Sequence, residues 1–320
     1  MMRQVSVDEP LLRVGNTLGE ACVWDARTQR LYFVDIDQRK IFTYEPSSGI
    51  YGYQVFERKI SSIAVMEDGT GLVAAIEAGF AYVDFSSLPF PPTGKPSSMR
   101  LIIDTNISFT DREQRFNEAT VDPAGRFLGG TMGFNIGDSD SKLYALTVMP
   151  DGRHQTTLML KGIGCSNGMA WSLDHQTMYF TDSWVKEIYA FDYDLKRGTM
   201  SNRRSFHTFS DPYGYPDGMC MDTEGGIWSA CWSAGKVIRI APQGKVDVVI
   251  DFPTAWHMTC CIFGAGPDLK DLYVTSANSA YTGSDLDSPD RHDGGSLFVV
   301  RGLGYRGLER NKFRGASARD

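Results

Sequence analysis

The 320-residue sequence predicts an all-β fold: a six-bladed β-propeller of four-stranded antiparallel sheets, forming one domain over residues 1–320. Three observations carry this. One order of strands and turns recurs six times along the chain. The strands are rich in Val, Ile, Tyr, Phe and Trp and are bounded by D-G, P-A-G, E-G-G and A-G-P, the punctuation of short antiparallel strands. No stretch sustains the apolar periodicity of a helix.

The copies follow in order. "EACVWDARTQRLYFVDIDQRKIFTYEP" starts at Glu20, "SIAVMEDGTGLVAAIEAGFAYVDF" at Ser62, and "NEATVDPAGRFLGGTMGF…KLYALTV" at Asn117. "NGMAWSLDHQTMYFTDSWVKEIYAFDYD" from Asn167 is the clearest: an apolar run, a turn, a strand near 177–183, a turn, and a strand near 187–193. "DGMCMDTEGGIWSACWSAGKVIRIAP" repeats it from Asp217, and "TCCIFGAGPDLKDLYVTSA…SLFVV" from Thr259. The starts lie 42, 55, 50, 50 and 42 residues apart, close to the period of a four-stranded blade. Most copies have a fourth, outer strand, but the sixth runs into the C-terminal tail without one. The N-terminal "RQVSVDE" can supply it, so that pairing of the chain ends closes the ring and leaves no open edge.

Composition sets limits on function. The 42% of apolar residues allow a large core, and a net charge of −7 without clustered Lys and Arg excludes a nucleic-acid partner. The start, "MMRQVSVDEPLLRVG", has no apolar signal core, and no run nears the eighteen or so apolar residues of a membrane span. The expectation is therefore a cytoplasmic protein with no membrane partner. The six cysteines (22, 165, 220, 231, 260 and 261) form no C-x-x-C and are expected to be reduced and mostly buried as small hydrophobes.

Aligning the repeats exposes a ring. Each inner strand begins with a polar residue bearing a side-chain oxygen: Glu20, Ser62, Asn117, Asn167, Asp217 and Thr259. Four steps on stand Trp24, Met66, Val121, Trp171, Met221 and Phe263, all apolar, as in strands buried between blades. The inner strands of a propeller line its channel, so the six oxygens should meet at one end. With two carboxylates and neutral amides they suit a divalent cation, Ca²⁺, Mg²⁺ or Mn²⁺, with Zn²⁺ and Fe²⁺ also compatible. The other reading is that N-G and D-G mark turns and these residues only cap strand starts.

"GCSNG" at 164–168 matches the G-x-S-x-G nucleophile elbow, but that motif needs a strand turning into a helix. Here "MAWS" continues as a strand, which argues against Ser166 as a nucleophile. His257 adjoins the ring and reads either as a substrate contact or as a partly buried histidine. The acidic 282–295 segment lacks EF-hand spacing and reads as a solvated loop, and the basic tail "LERNKFRGASARD" as a frayed end.

The motifs "LGEACVWD", "RFNEATVDPAGRFLGGTM", "CSNGMAWS", "YPDGMCMD" and "TCCIFG", in this order, resemble the gluconolactonase/regucalcin (senescence marker protein) family across nearly the whole chain. The resemblance implies a divalent metal held by Glu20, Asn167 and Asp217, the set found in the ring, and sugar-lactone binding by Arg115 and Asn117. Glu118 stands next to these where family members often have Asp followed by Gly, and is taken here as a further substrate contact. "GFNIGDSDS" (133–141) replaces an acidic lid segment of animal members. The implied activity is a carboxylic ester hydrolase of carbohydrate metabolism that opens an aldonolactone to its acid, with Asp217 as the catalytic proton carrier. The alternative is a regucalcin-like metal-binding regulator without catalysis.

Overall fold

The computed structural model describes residues 2–102, 107, 109, 113–278, 281 and 292–315. Six small sheets are arranged in a ring, each inner strand packing on the next and the sixth on the first. The inner strands are Gly19–Asp25, Ile60–Val65, Glu113–Val121, Ser166–Trp171, Tyr215–Met221 and His257–Gly264. The consecutive strands of every blade form an antiparallel meander, as the repeats predict. No described helix is long and apolar enough to cross a membrane.

The predicted apolar step holds in all six copies: Trp24, Met66, Val121, Trp171, Met221 and Phe263 are each at most 7% exposed. They lie in wedge-shaped clusters shared between neighbouring blades, so each sheet buries both faces and the core is distributed around the ring. The aspartate that follows this step is a turn device. Asp25, Asp122 and Asp222 each accept backbone N–H groups two to four residues on, such as Gly226 N on Asp222 at 2.9 Å.

Closure differs from the expectation in one respect. The N-terminal segment does meet the last blade, through Leu11 and Leu12 bonded to Leu297 at 2.8 and 3.0 Å. The strand Arg3–Ser6 itself lies one blade away, parallel to Val246–Asp251 as a fifth strand of blade five. The sixth sheet has three strands among the described residues.

The tail also departs from the frayed end expected, up to residue 315. It crosses the far end of the channel, where Leu308 N bonds Met221 O, Phe313 N bonds Val65 O and Arg314 N bonds Gly125 O. Phe313 is 1% exposed. The inner strands end there with backbone carbonyls and apolar side chains that need a cover, and the tail supplies both hydrogen bonds and bulk. Residues 316–320 lie outside the described part.

Candidate metal and substrate site

All six inner ladders break register at or beside the ring position, for example between Ser166 and Met169 and between Pro216 and Met219. A bulge re-aims side chains locally. Here Asn117, Asn167, Asp217 and Thr259 fall inside the break, while Glu20 and Ser62 stand at its edge, still paired with Val34 and Ala75. The N-G and D-G glycines are consequently not turn residues. A Cβ on Gly168 would lie 2.6 Å from Met219 N, and one on Gly218 would lie 2.8 Å from Cys260 Cβ. Glycine is required because neighbouring inner strands approach this closely at the channel.

Of the six ring residues, Glu20, Asn117, Asn167 and Asp217 line one cavity of about 160 Å³, together with Arg115. The other two do not. Ser62 Oγ donates to Ala119 O at 2.9 Å, and Thr259 Oγ1 bonds Gly19 O and Thr275 Oγ1. They tie adjacent inner strands together.

The amide of Asn167 has a defined orientation. Its Nδ2 donates to Ser183 Oγ at 3.0 Å, and Ser183 Oγ donates to Pro216 O at 2.7 Å. Asn167 Oδ1 is left buried without a partner, as is Asp217 Oδ1. Glu20 Oε2 accepts from Ala21 N at 2.9 Å. Two orphaned oxygens, one amide and one carboxylate, with a second carboxylate, that of Glu20, all at most 6% exposed, leave a desolvation cost that a cation would remove. The three predicted ligands therefore fit a divalent ion.

Electrostatics point the same way. Burial, then the neighbouring Asp217 and Glu118, push the Glu20 carboxyl well above its usual range. Burial, then Cys260 and Glu118, do the same to Asp217. Burial raises Glu118 to about 6, opposed by the Arg310 guanidinium and Ser62. Three carboxylates thus share one channel.

Glu118 is placed differently from the expectation of a substrate contact. It lines a separate cavity of about 10 Å³ on the other side of the ring, with Cys22, Ser62 and Arg310. The bulge turns adjacent residues to opposite sides, so Asn117 faces the larger cavity and Glu118 does not.

Arg115 and Asn117 act as a pair. Arg115 Nη1 donates to Asn117 Oδ1 and Phe116 O, and Asn117 Nδ2 donates to Ser166 O. Ser166 itself is fully buried against Gly130, its Oγ without a hydrogen-bond partner and away from the cavity. His257 is also fully buried, stacked at 4.1 Å behind Trp232, which lines the cavity in its place. The acidic loop falls largely outside the described residues.

The sequence reading missed the cavity walls: Phe134, Trp184, Tyr215, Trp232 and Tyr281, with Leu18, Met132 and Cys165. It also missed the clasp that holds the loops entering the ring. Asp182 accepts from Gly164 N and Cys165 N, and Asp35, at the equivalent position fifteen residues after its ring residue, accepts from Thr17 N and Leu18 N. The repeated "YFVD" and "YFTD" carried that signal.

A family model described as SMP-30/Gluconolactonase/LRE-like region matches residues 18–278. The chain is 35% identical to regucalcin of Danio rerio over 311 residues, 96% of this chain and 98% of that one. A solved luciferin-regenerating enzyme superposes with a TM-score of 0.83 at 29% identity, covering 96% of this chain and 99% of the other. A structure titled as a calcium-binding protein, regucalcin, from Agrobacterium tumefaciens str. C58 has a TM-score of 0.83 at 22% identity, over 98% and 100% of the two chains, a likeness of fold.

Proposed function

This chain belongs to the SMP-30/gluconolactonase/LRE-like family, and from that premise we propose that it is a divalent-metal-dependent lactonase opening a hexono- or pentonolactone to the aldonic acid. The observation that carries the reading is the pair of unpartnered oxygens, Asn167 Oδ1 and Asp217 Oδ1, in a cavity that a buried arginine also lines. Glu20, Asn167 and Asp217 would hold the cation, and Ca²⁺, Zn²⁺, Mn²⁺, Mg²⁺ and Fe²⁺ all accept such donors. When bound, it supplies Lewis acidity toward a carbonyl oxygen and eases ionisation of water near neutral pH.

The chain's own groups do the rest. Arg115, fixed by Asn117, offers a guanidinium to the oxygen on which negative charge grows, in a site where such a donor is worth more than in water. Asp217 carries the proton between water and the departing ring oxygen, a task suited to a carboxyl whose affinity for protons is raised by burial. Ser183 holds the Asn167 amide so that its oxygen faces the site. The aromatic walls exclude bulk water and offer flat faces to the C–H side of a ring.

A second reading, a metal-binding regulator without turnover, is favoured by the name regucalcin of the curated relative. The test is lactone hydrolysis by chelator-stripped protein, with each of the five ions restored singly, on a panel of hexono- and pentonolactones. Restored hydrolysis is the expected result. Tight metal binding with no turnover on any lactone would transfer the assignment to the regulator, and full activity without metal would overturn both.

A further inference from the structure

The channel contains donors that the three-residue set leaves unused. Glu20, Glu118 and Cys260 each place one ligand atom within 4.8 Å of the other two, and all three side chains are buried, at 6%, 6% and 1% exposure. Glu20 faces the larger cavity and Glu118 the small one beyond the ring, so this cluster lies between them. The Asp217–Gly218 backbone packs directly on it: a Cβ on Gly218 would come within 2.8 Å of Cys260 Sγ. Asp217, 5% exposed and with Oδ1 unpartnered, has Cys260 and Glu118 as the strongest charge influences on its carboxyl.

We propose that Glu20, Glu118 and Cys260 form a second cation position, one step deeper in the channel, selective for a thiophilic divalent ion such as Zn²⁺ over Ca²⁺. The inference rests on Glu20 being a metal ligand in the reading above. Its chemical basis is the donor set. Ca²⁺ takes six to eight oxygens, roughly, and gains nothing from sulfur. Zn²⁺ and Co²⁺ accept a mixed thiolate and carboxylate set in tetrahedral geometry, which brings donors to about 3.5 Å from one another. The cation also answers a charge problem, because Asp217 and Glu118 act against the charge of Glu20 and Glu118 against that of Asp217, opposed by Arg115 at Glu20 and by Arg310 at Glu118.

The experiment uses the full-length, reduced, chelator-stripped protein under argon. X-ray absorption of the wild type loaded with Zn²⁺ should show one sulfur at about 2.3 Å; a shell of oxygen and nitrogen alone overturns the proposal without requiring any variant to fold. Titration with Co²⁺ should give the near-ultraviolet sulfur-to-cobalt charge-transfer band. That band should vanish in Cys260→Ser, persist in Cys22→Ser, and need about tenfold or more Co²⁺ in Glu118→Gln, the scale of loss seen when even an outer partner is removed. Ca²⁺ affinity should be the same in Cys260→Ser as in the wild type. A band that survives Cys260→Ser, or that depends on Cys22, overturns the site. Lactone turnover with Ca²⁺ in a protein showing no sulfur ligation would defeat this inference and leave the lactonase standing; sulfur ligation with no turnover would do the reverse.

Discussion

Arg115 Nη1 donates a 2.6 Å hydrogen bond to Asn117 Oδ1, while Asn117 Nδ2 is spent on Ser166 O at 3.0 Å. Both ends of the Asn117 amide are therefore engaged within the protein. On the proposed function, Asn117 positions the arginine and Arg115 is the group that meets substrate. Hydrogen bonds to charged groups contribute about 1.5–3 kcal/mol each. Arg115→Ala should lower kcat/KM by roughly 10- to 150-fold on this basis, and Asn117→Ala by a comparable amount. The double variant should lose little more than either single one, because the two side chains act as one unit. Additive losses in steady-state kinetics would show that Asn117 touches substrate independently.

The serine of G-x-S-x-G and the aspartate of the ring make opposite predictions. Ser166→Ala should leave turnover unchanged and stability equal or slightly higher, since it removes a buried hydroxyl without a partner. Asp217→Asn should lower kcat by at least about a hundredfold, the usual contribution of a proton carrier. Both variants are compared in one lactone assay, and the reverse order would return the serine to the centre of the chemistry.

The metal-free protein should lose stability as pH rises. Glu20, Asp217 and Glu118 all have carboxyl pKa values raised by burial, so the folded state binds protons more tightly than the unfolded one. Their contribution is complete below the unfolded values, 4.5 for the two glutamates and 3.8 for Asp217, and falls as pH rises through the folded ones. Glu118, raised from 4.5 to about 6, accounts for roughly 2 kcal/mol of that loss. Thermal melts of stripped protein between pH 5 and 8 should fall accordingly, and added divalent cation should raise Tm most at the alkaline end. A Tm of stripped protein that climbs with pH would contradict the buried charge.

Arg310 joins the tail to the channel. Nη2 donates to Met219 O at 2.6 Å and Nη1 to Thr120 Oγ1 at 3.0 Å, close enough for its charge to oppose the raised pKa of Glu118. Each hydrogen bond lost from a charged donor costs about 1.5–3 kcal/mol. Arg310→Met should destabilise by that order in denaturant unfolding, and adding Glu118→Gln should recover part of the loss. No recovery would mean that Arg310 acts through its backbone partners alone.

Gly168→Ala tests the reading of N-G as close approach. With Met219 N 2.6 Å and Asp217 O 2.7 Å from the new Cβ, both backbone atoms, neighbouring inner strands must separate at the site. The expected result is a stability loss of about 1–3 kcal/mol with weakened metal binding by calorimetry. A neutral substitution would support the turn reading instead.

The sequence by itself determined the number of blades, the meander within each, and the six ring positions, because strand and turn preferences and burial between blades repeat at one period and write themselves into each copy. It also placed Glu20, Asn167 and Asp217 at equivalent register, and Arg115 and Asn117 beside them. It did not decide which neighbours of the ring face which side. Glu118 follows Asn117 in the chain, but a bulge turns the two to opposite sides. His257 adjoins the ring in sequence and lies behind Trp232 in space. Nor was the tail's path over the channel visible, since Arg310 and Phe313 carry no local pattern and their partners are 91 to 248 residues away. Repetition encodes what every blade shares. The cavity walls, the side each residue faces and the strap beneath arise from contacts unique to one place in the ring, and only the closed tertiary structure brings those contacts into being.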